Sequence, residues 1–121
     1  IALIDAKKAL KMFDKVDVPV LGIIENMSVH QCSSCGHVDA IFGEGGGEKM
    51  AEQYAVALLG KLPLQRVIRE NSDAGTPIVV SEPDGLASLS YKAIARKAAA
   101  KLSLQAKNKA ISFPNIVIQN T

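Results

Sequence analysis

The run Val18-Pro19-Val20-Leu21-Gly22-Ile23-Ile24 is apolar almost without a break, and Glu25, Asn26 and Ser28 follow at once. A strand with one wet face alternates apolar and polar residues. This run does not alternate, which predicts a strand covered on both faces, as in a parallel sheet under helices. Pro19 has no N–H to give to a ladder and fits only the first residues of such a strand. The polar residues then fall at the strand's carboxyl end, where open α/β sheets bind ligands.

The flanking segments support the same architecture. Leu3, Ala6, Leu10 and Phe13 recur at three- and four-residue steps and predict a helix over 1–15. A second helix is expected from Glu48 to Ala57, with Met50, Tyr54 and Ala57 on one side, then a short apolar strand over 58–64. A short helix over 65–73 is stopped by Gly75 and Pro77. Ile78-Val79-Val80 is a brief apolar segment. Ser81-Glu82-Pro83-Asp84 combines a hydroxyl, early acids and a proline, and predicts the start of the last helix. Its stripe is Ala87, Tyr91, Ile94, Ala98 and Leu102.

This order is the α/β pattern, a sheet flanked by helices. It predicts one domain over 1–102, with a long loop over 28–46, and a weakly structured tail over 103–121. Within that tail Ile116-Val117-Ile118 is a candidate edge strand. The chain opens at Ile1 inside an amphipathic pattern with no capping residue, as expected of a segment of a longer protein.

Two thiols stand in the long loop, in His30-Gln31-Cys32-Ser33-Ser34-Cys35-Gly36-His37, and the chain has no other cysteine. Thiolates bind zinc, iron–sulfur clusters and Cu(I), and a two-residue spacer lets both sulfurs reach one metal or two adjacent irons. A closed site commonly needs four ligands. His30 and His37 would complete a zinc site within one chain, although four ligands in eight residues is tight. A second copy would complete four thiolates with its own Cys32 and Cys35. Alternatively the pair acts as a redox dithiol, or is two ordinary loop thiols. Ligand count favours the second copy.

Other functions find little support. A net charge of +2 does not argue for nucleic acid or an anionic membrane. Five aromatics without Trp make a poor base-stacking surface. No apolar run approaches the roughly 20 residues of a membrane span. One CxxC pair is not a secreted disulfide framework, so a reducing, cytoplasmic setting is expected. Gly43 to Gly47 is not a P-loop, because Glu48-Lys49-Met50 follows it where Lys and a hydroxyl are needed. Gly60-Lys61 fails too, with Leu62 in the hydroxyl position and Ala55 in that of the first glycine. The glycines are therefore expected to form a hinge. Asn26 ends the buried strand. Its carboxamide both donates and accepts, which suits a purine edge, although an Asn turning the chain is the blander explanation.

Taken in order, Gly22-Ile23-Ile24-Glu25-Asn26-Met27-Ser28, Cys32-Ser33-Ser34-Cys35-Gly36, Ile41-Phe42-Gly43 with Glu48-Lys49, Leu59-Gly60-Lys61-Leu62-Pro63-Leu64 and Gly75-Thr76-Pro77 resemble the carboxyl-terminal half of the Mrp/Nbp35 (ApbC-like) family. These are P-loop ATPases that carry iron–sulfur clusters. The resemblance covers about residues 1–102. It implies a parallel-sheet P-loop NTPase fold of the deviant Walker A type, similar to MinD and the nitrogenase iron protein. It implies a labile [4Fe–4S] cluster held between two subunits of a homodimer by Cys32 and Cys35 of each, for delivery to apo iron–sulfur proteins. It also implies an adenine contact at Asn26, with Pro63 near the base, and ATP with Mg²⁺ in the full-length protein. The Walker A and switch motifs of that family are not found in this sequence, so the chain alone is expected not to hydrolyse ATP. The alternative is a zinc-binding structural or dimerisation module.

Overall fold

The computed structural model describes residues 1–108. Its centre is a parallel strand pair. Strand β1 (Ile23–Glu25) lies beside β4 (Leu58–Lys61), with Ile23 opposite Leu58, Ile24 opposite Gly60 and Glu25 opposite Lys61, and an irregularity after Ile23. Parallel pairing needs a crossover, and the chain between the strands supplies a hairpin, β2 (His30–Gln31) with β3 (Val38–Asp39), and helix α2 (Gly46–Gln53).

After β4 come α3 (Arg66–Asp73), α4 (Ile78–Ser81) and the long α5 (Leu86–Asn108). The core forms where α5 lies on β4: Leu59, Leu62 and Ile94 are buried together, with Ala57, Tyr91 and Ala98 packed on them. Gly60 makes that approach possible, since a Cβ there would sit 2.5 Å from Ile94 Cγ1. Ser88 is fully buried and donates its hydroxyl to the Ile78 carbonyl at 3.0 Å, which fixes α4 on α5.

Several expectations are corrected. The apolar run from Val18 is not a strand covered on both faces: the ladder holds Ile23–Glu25 only, and Val18 and Ile24 remain exposed. Among the described residues β1 pairs with β4 alone. The stripe of α1 (Ala2–Lys15) buries no residue either. The loop over 28–46 contains the β2–β3 hairpin, which the polar, glycine-bearing sequence did not announce.

The glycine run is no simple hinge. Gly45 caps α2 and Gly46 and Gly47 form its first turn. Gly47 lies so close to β1 that a Cβ would be 2.8 Å from the Glu25 Cβ. Ser81 ends α4 instead of opening the last helix. That helix begins at Leu86, and the Gly85 carbonyl accepts from Leu89 N–H at 2.9 Å. Leu102 of the expected stripe is exposed, and α5 runs on to Asn108. The segment Ile116-Val117-Ile118 lies outside the described residues. Among those described, no helix is long and apolar enough to cross a membrane.

Candidate metal centre and strand-end crevice

Strands β2 and β3 pair His30 with Asp39 and Gln31 with Val38, and the turn between them carries both thiols. Cys32 N–H donates to the His37 carbonyl at 2.8 Å, and Gly36 N–H returns to the Cys32 carbonyl at 2.9 Å. Gly36 takes a φ of 73°, a left-handed conformation that costs a glycine little. The turn therefore closes on itself and presents Cys32, half-buried, and Cys35, exposed, both as free thiols.

The Cys35 backbone N–H, with that of Ser34 and the Cys35 side chain, holds the Cys32 thiol below its usual pKa. Hydrogen bonds to the charged form favour it, so the turn stabilises a thiolate. The thiolate is the form that binds metal and acts as nucleophile. Two soft donors of this kind suit iron or zinc. Four-ligand coordination from one chain does not assemble: among the described residues no group of three or more His, Cys, Asp or Glu is placed to hold a metal. His30 is engaged elsewhere, its Nδ1 bonded to the Leu64 carbonyl at 3.1 Å, and His37 is exposed.

Asn26 and Pro63 come to neighbouring strand ends. Asn26 directly follows β1 and Pro63 lies two residues past β4, while Leu62 N–H donates to the Glu25 carbonyl at 2.9 Å between them. Asn26 is exposed, and its Oδ1 accepts the Met27 N–H at 2.9 Å, leaving the amide NH₂ as its donor. A crevice of about 420 Å³ opens there, lined by Leu3, Asn26, Met27, Phe42 and Gly46 among others. Pro63 is half-buried and is not part of that lining.

Sequence reasoning missed two features of this end of the sheet. Lys61 bridges Glu48 of α2 at 2.7 Å and Glu25 of β1 at 3.6 Å. The hydrogen bond to Glu48 raises the Lys61 pKa, which keeps the ammonium charged. Ser28 and His30 also tie the hairpin to the chain beyond β4, at a separation of 34 residues that no local pattern signals.

Over residues 1–99 the chain matches the ParA family model described as NUBPL iron-transfer P-loop NTPase. It is 56% identical over 105 residues to an iron-sulfur cluster carrier protein of Escherichia coli (strain K12), covering 87% of this chain and 28% of that one. It is 38% identical over 120 residues to the iron-sulfur cluster transfer protein NUBPL of Dictyostelium discoideum, covering 98% and 37% respectively. Among solved structures it is similar to a nucleotide-binding protein from Archaeoglobus fulgidus in complex with ADP. That likeness has a TM-score of 0.53 and 31% identity, over 66% of this chain and 32% of the other. The chain thus spans 28% to 37% of the length of these three proteins.

Proposed function

Because this chain belongs to the family of NUBPL-type iron-transfer P-loop NTPases, we propose that it supplies half of the coordination shell of a carried iron–sulfur cluster. Cys32 and Cys35 of one copy and the same pair of a second copy hold one [4Fe–4S] cluster between them, and the cytoplasmic homodimer passes it to apo iron–sulfur proteins. The observation that carries this reading is the hairpin tip: it holds two free thiols, Cys35 exposed and Cys32 half-buried, and no third ligand stands beside them among the described residues. The Escherichia coli and Dictyostelium relatives are named for cluster carriage and transfer, and this chain takes the cluster as cargo on the same grounds.

The chemistry of release follows from exposure. An acceptor's thiol, losing its proton, forms a new bond to the iron held by the more exposed Cys35 as the old Fe–S bond breaks. The proton lost by the incoming thiol balances the one taken up by the leaving sulfur, and no electron is transferred. Two ligands from each side make a shell that can be dismantled stepwise. A nucleotide belongs to the same reading. The relative from Archaeoglobus fulgidus is bound to ADP, and Asn26, with Pro63 nearby, suits the adenine edge of ATP. Mg²⁺ and the phosphates require a G-x-x-x-x-G-K-[ST] motif, which residues 1–121 do not contain.

Anaerobic reconstitution with iron and sulfide tests this. The expected outcome is absorbance near ~400 nm with about four irons per pair of chains, on a species of dimer mass. One zinc per pair, refractory to exchange with iron, would support the structural zinc module instead. A strictly monomeric metal-loaded species would refute the shared site.

A further inference from the structure

The thiol hairpin hangs from the rest of the molecule by a narrow strip. Outside helices and strands, two backbone hydrogen bonds join residues 28–43 to other described residues: Ser28 N–H to the Leu62 carbonyl at 2.9 Å, and Leu64 N–H to the Val29 carbonyl at 2.7 Å. Two side chains reinforce them. Ser28 Oγ donates to the same Leu62 carbonyl at 3.0 Å, and His30 Nδ1 donates to the Leu64 carbonyl at 3.1 Å. His30 and Leu64 also pair as a single parallel bridge. Every one of these bonds lands on Leu62 or Leu64, the residues on either side of Pro63. Leu62 is fixed in the core, whereas Pro63 and Leu64 are half-buried. Asn26 stands two residues before Ser28, and Cys32 two residues after His30.

We propose that Ser28 and His30 are positioning residues that pass the state of the strand-end crevice to the thiol pair. The inference rests on the carrier reading and assigns its regulation to named bonds. A nucleotide seated against Asn26 also meets Ser28, which lines the same crevice and holds the Leu62 carbonyl next to Pro63 and Leu64. Hydrogen bonds weaken steeply as they stretch or bend, so His30 follows Leu64. The hairpin moves as one piece, because the Cys32–His37 and Gly36–Cys32 bonds close its turn internally. The thiols of the two copies are thereby brought nearer or drawn apart, and cluster lability changes. By linkage, the factor by which nucleotide changes the cluster's equilibrium affinity is the factor by which a loaded cluster changes nucleotide affinity.

The experiment uses the whole protein, loaded with cluster, and follows iron loss to a chelator with Mg-ATP, with Mg-ADP and with no nucleotide. The wild type is expected to show a nucleotide-dependent change in rate of about fivefold or more, the usual lower bound of such coupling. His30→Ala is expected to load the same iron but bring that ratio toward one. His30→Asn, whose amide N–H can reach the Leu64 carbonyl, is expected to restore it. A merely structural role would alter loading or all three rates together and leave the ratio alone. An unchanged ratio in His30→Ala, or a loaded wild type indifferent to nucleotide, overturns the coupling and leaves the carrier reading standing. Should His30→Ala fail to load, Ser28→Ala is read by the same ratio with the same two outcomes. A wild type that takes up no cluster overturns the carrier reading and this inference with it.

Discussion

Where β4 meets α5, Leu59, Leu62 and Ile94 are 4–7% exposed and the contact is apolar on both sides. In the β2–β3 hairpin, Val38 is 54% exposed, Cys35 lies open, and the attachment to the body is a handful of hydrogen bonds. Packing holds the first region and is hard to displace, because removing buried methylenes leaves a cavity. Directional bonds hold the second, each worth about 1 kcal/mol net. The proposed carrier role needs this division. Its scaffold must outlast many rounds of loading, while its ligands must let go.

The sharpest way to separate the two regions is to remove the thiols. Cys32→Ala with Cys35→Ala is expected to abolish iron binding outright while leaving the metal-free melting temperature unchanged, as scanning calorimetry would show. Unfolding of that variant would mean that the hairpin is structural after all. The opposite break is Ile94→Ala. It is expected to cost about 2–5 kcal/mol in urea unfolding, with iron per folded chain unaltered under native conditions. Ser28→Ala sits between the regions. It leaves the Ser28 N–H bond to Leu62 in place, so a loss of about 0.5–1.5 kcal/mol is expected, with faster amide exchange in the hairpin than in α5.

The smallest effect concerns titration. The N–H groups of Cys35 and Ser34 lower the Cys32 pKa. Its thiolate therefore persists to a lower pH than that of a free cysteine, and is lost only as the pH falls through the lowered value. Alkylation of metal-free Cys35→Ser protein by iodoacetamide should accordingly fall away at lower pH than for free cysteine. This variant retains the backbone N–H groups but loses the thiol contact from residue 35. A profile that matches free cysteine would show that the turn does not tune the Cys32 thiol.

How far the sequence could be followed depends on the range of each interaction. The stripe Ala87, Tyr91, Ile94 and Ala98 packs as its periodicity implies, with Ala87 and Ile94 buried. The equally periodic stripe of α1 leaves Leu3 and Phe13 exposed. Periodicity tells which side of a helix is apolar, whereas burial requires something to lie against it. The end of α3 was legible for a local reason, since Gly75 adopts the left-handed conformation that stops a helix. The start of α5 was not. Ser81 was claimed by α4, whose Ile78 is buried against the long helix, and no local capping rule anticipates that competition.

What the amino-acid order determined unaided is the chemistry and the class of fold. Two thiols at a fixed spacing are a pair of soft donors wherever they lie, and apolar runs between amphipathic segments imply a parallel sheet with helices. Only the tertiary structure decided that the thiols sit at the tip of a hairpin, that Asn26 and Pro63 occupy adjacent strand ends, and that Ser28 and His30 reach across 34 residues to the chain between. Backbone periodicity and ligand spacing are local quantities, written within a few residues. Hydrogen bonds between distant segments exist only once packing has brought the donors and acceptors together.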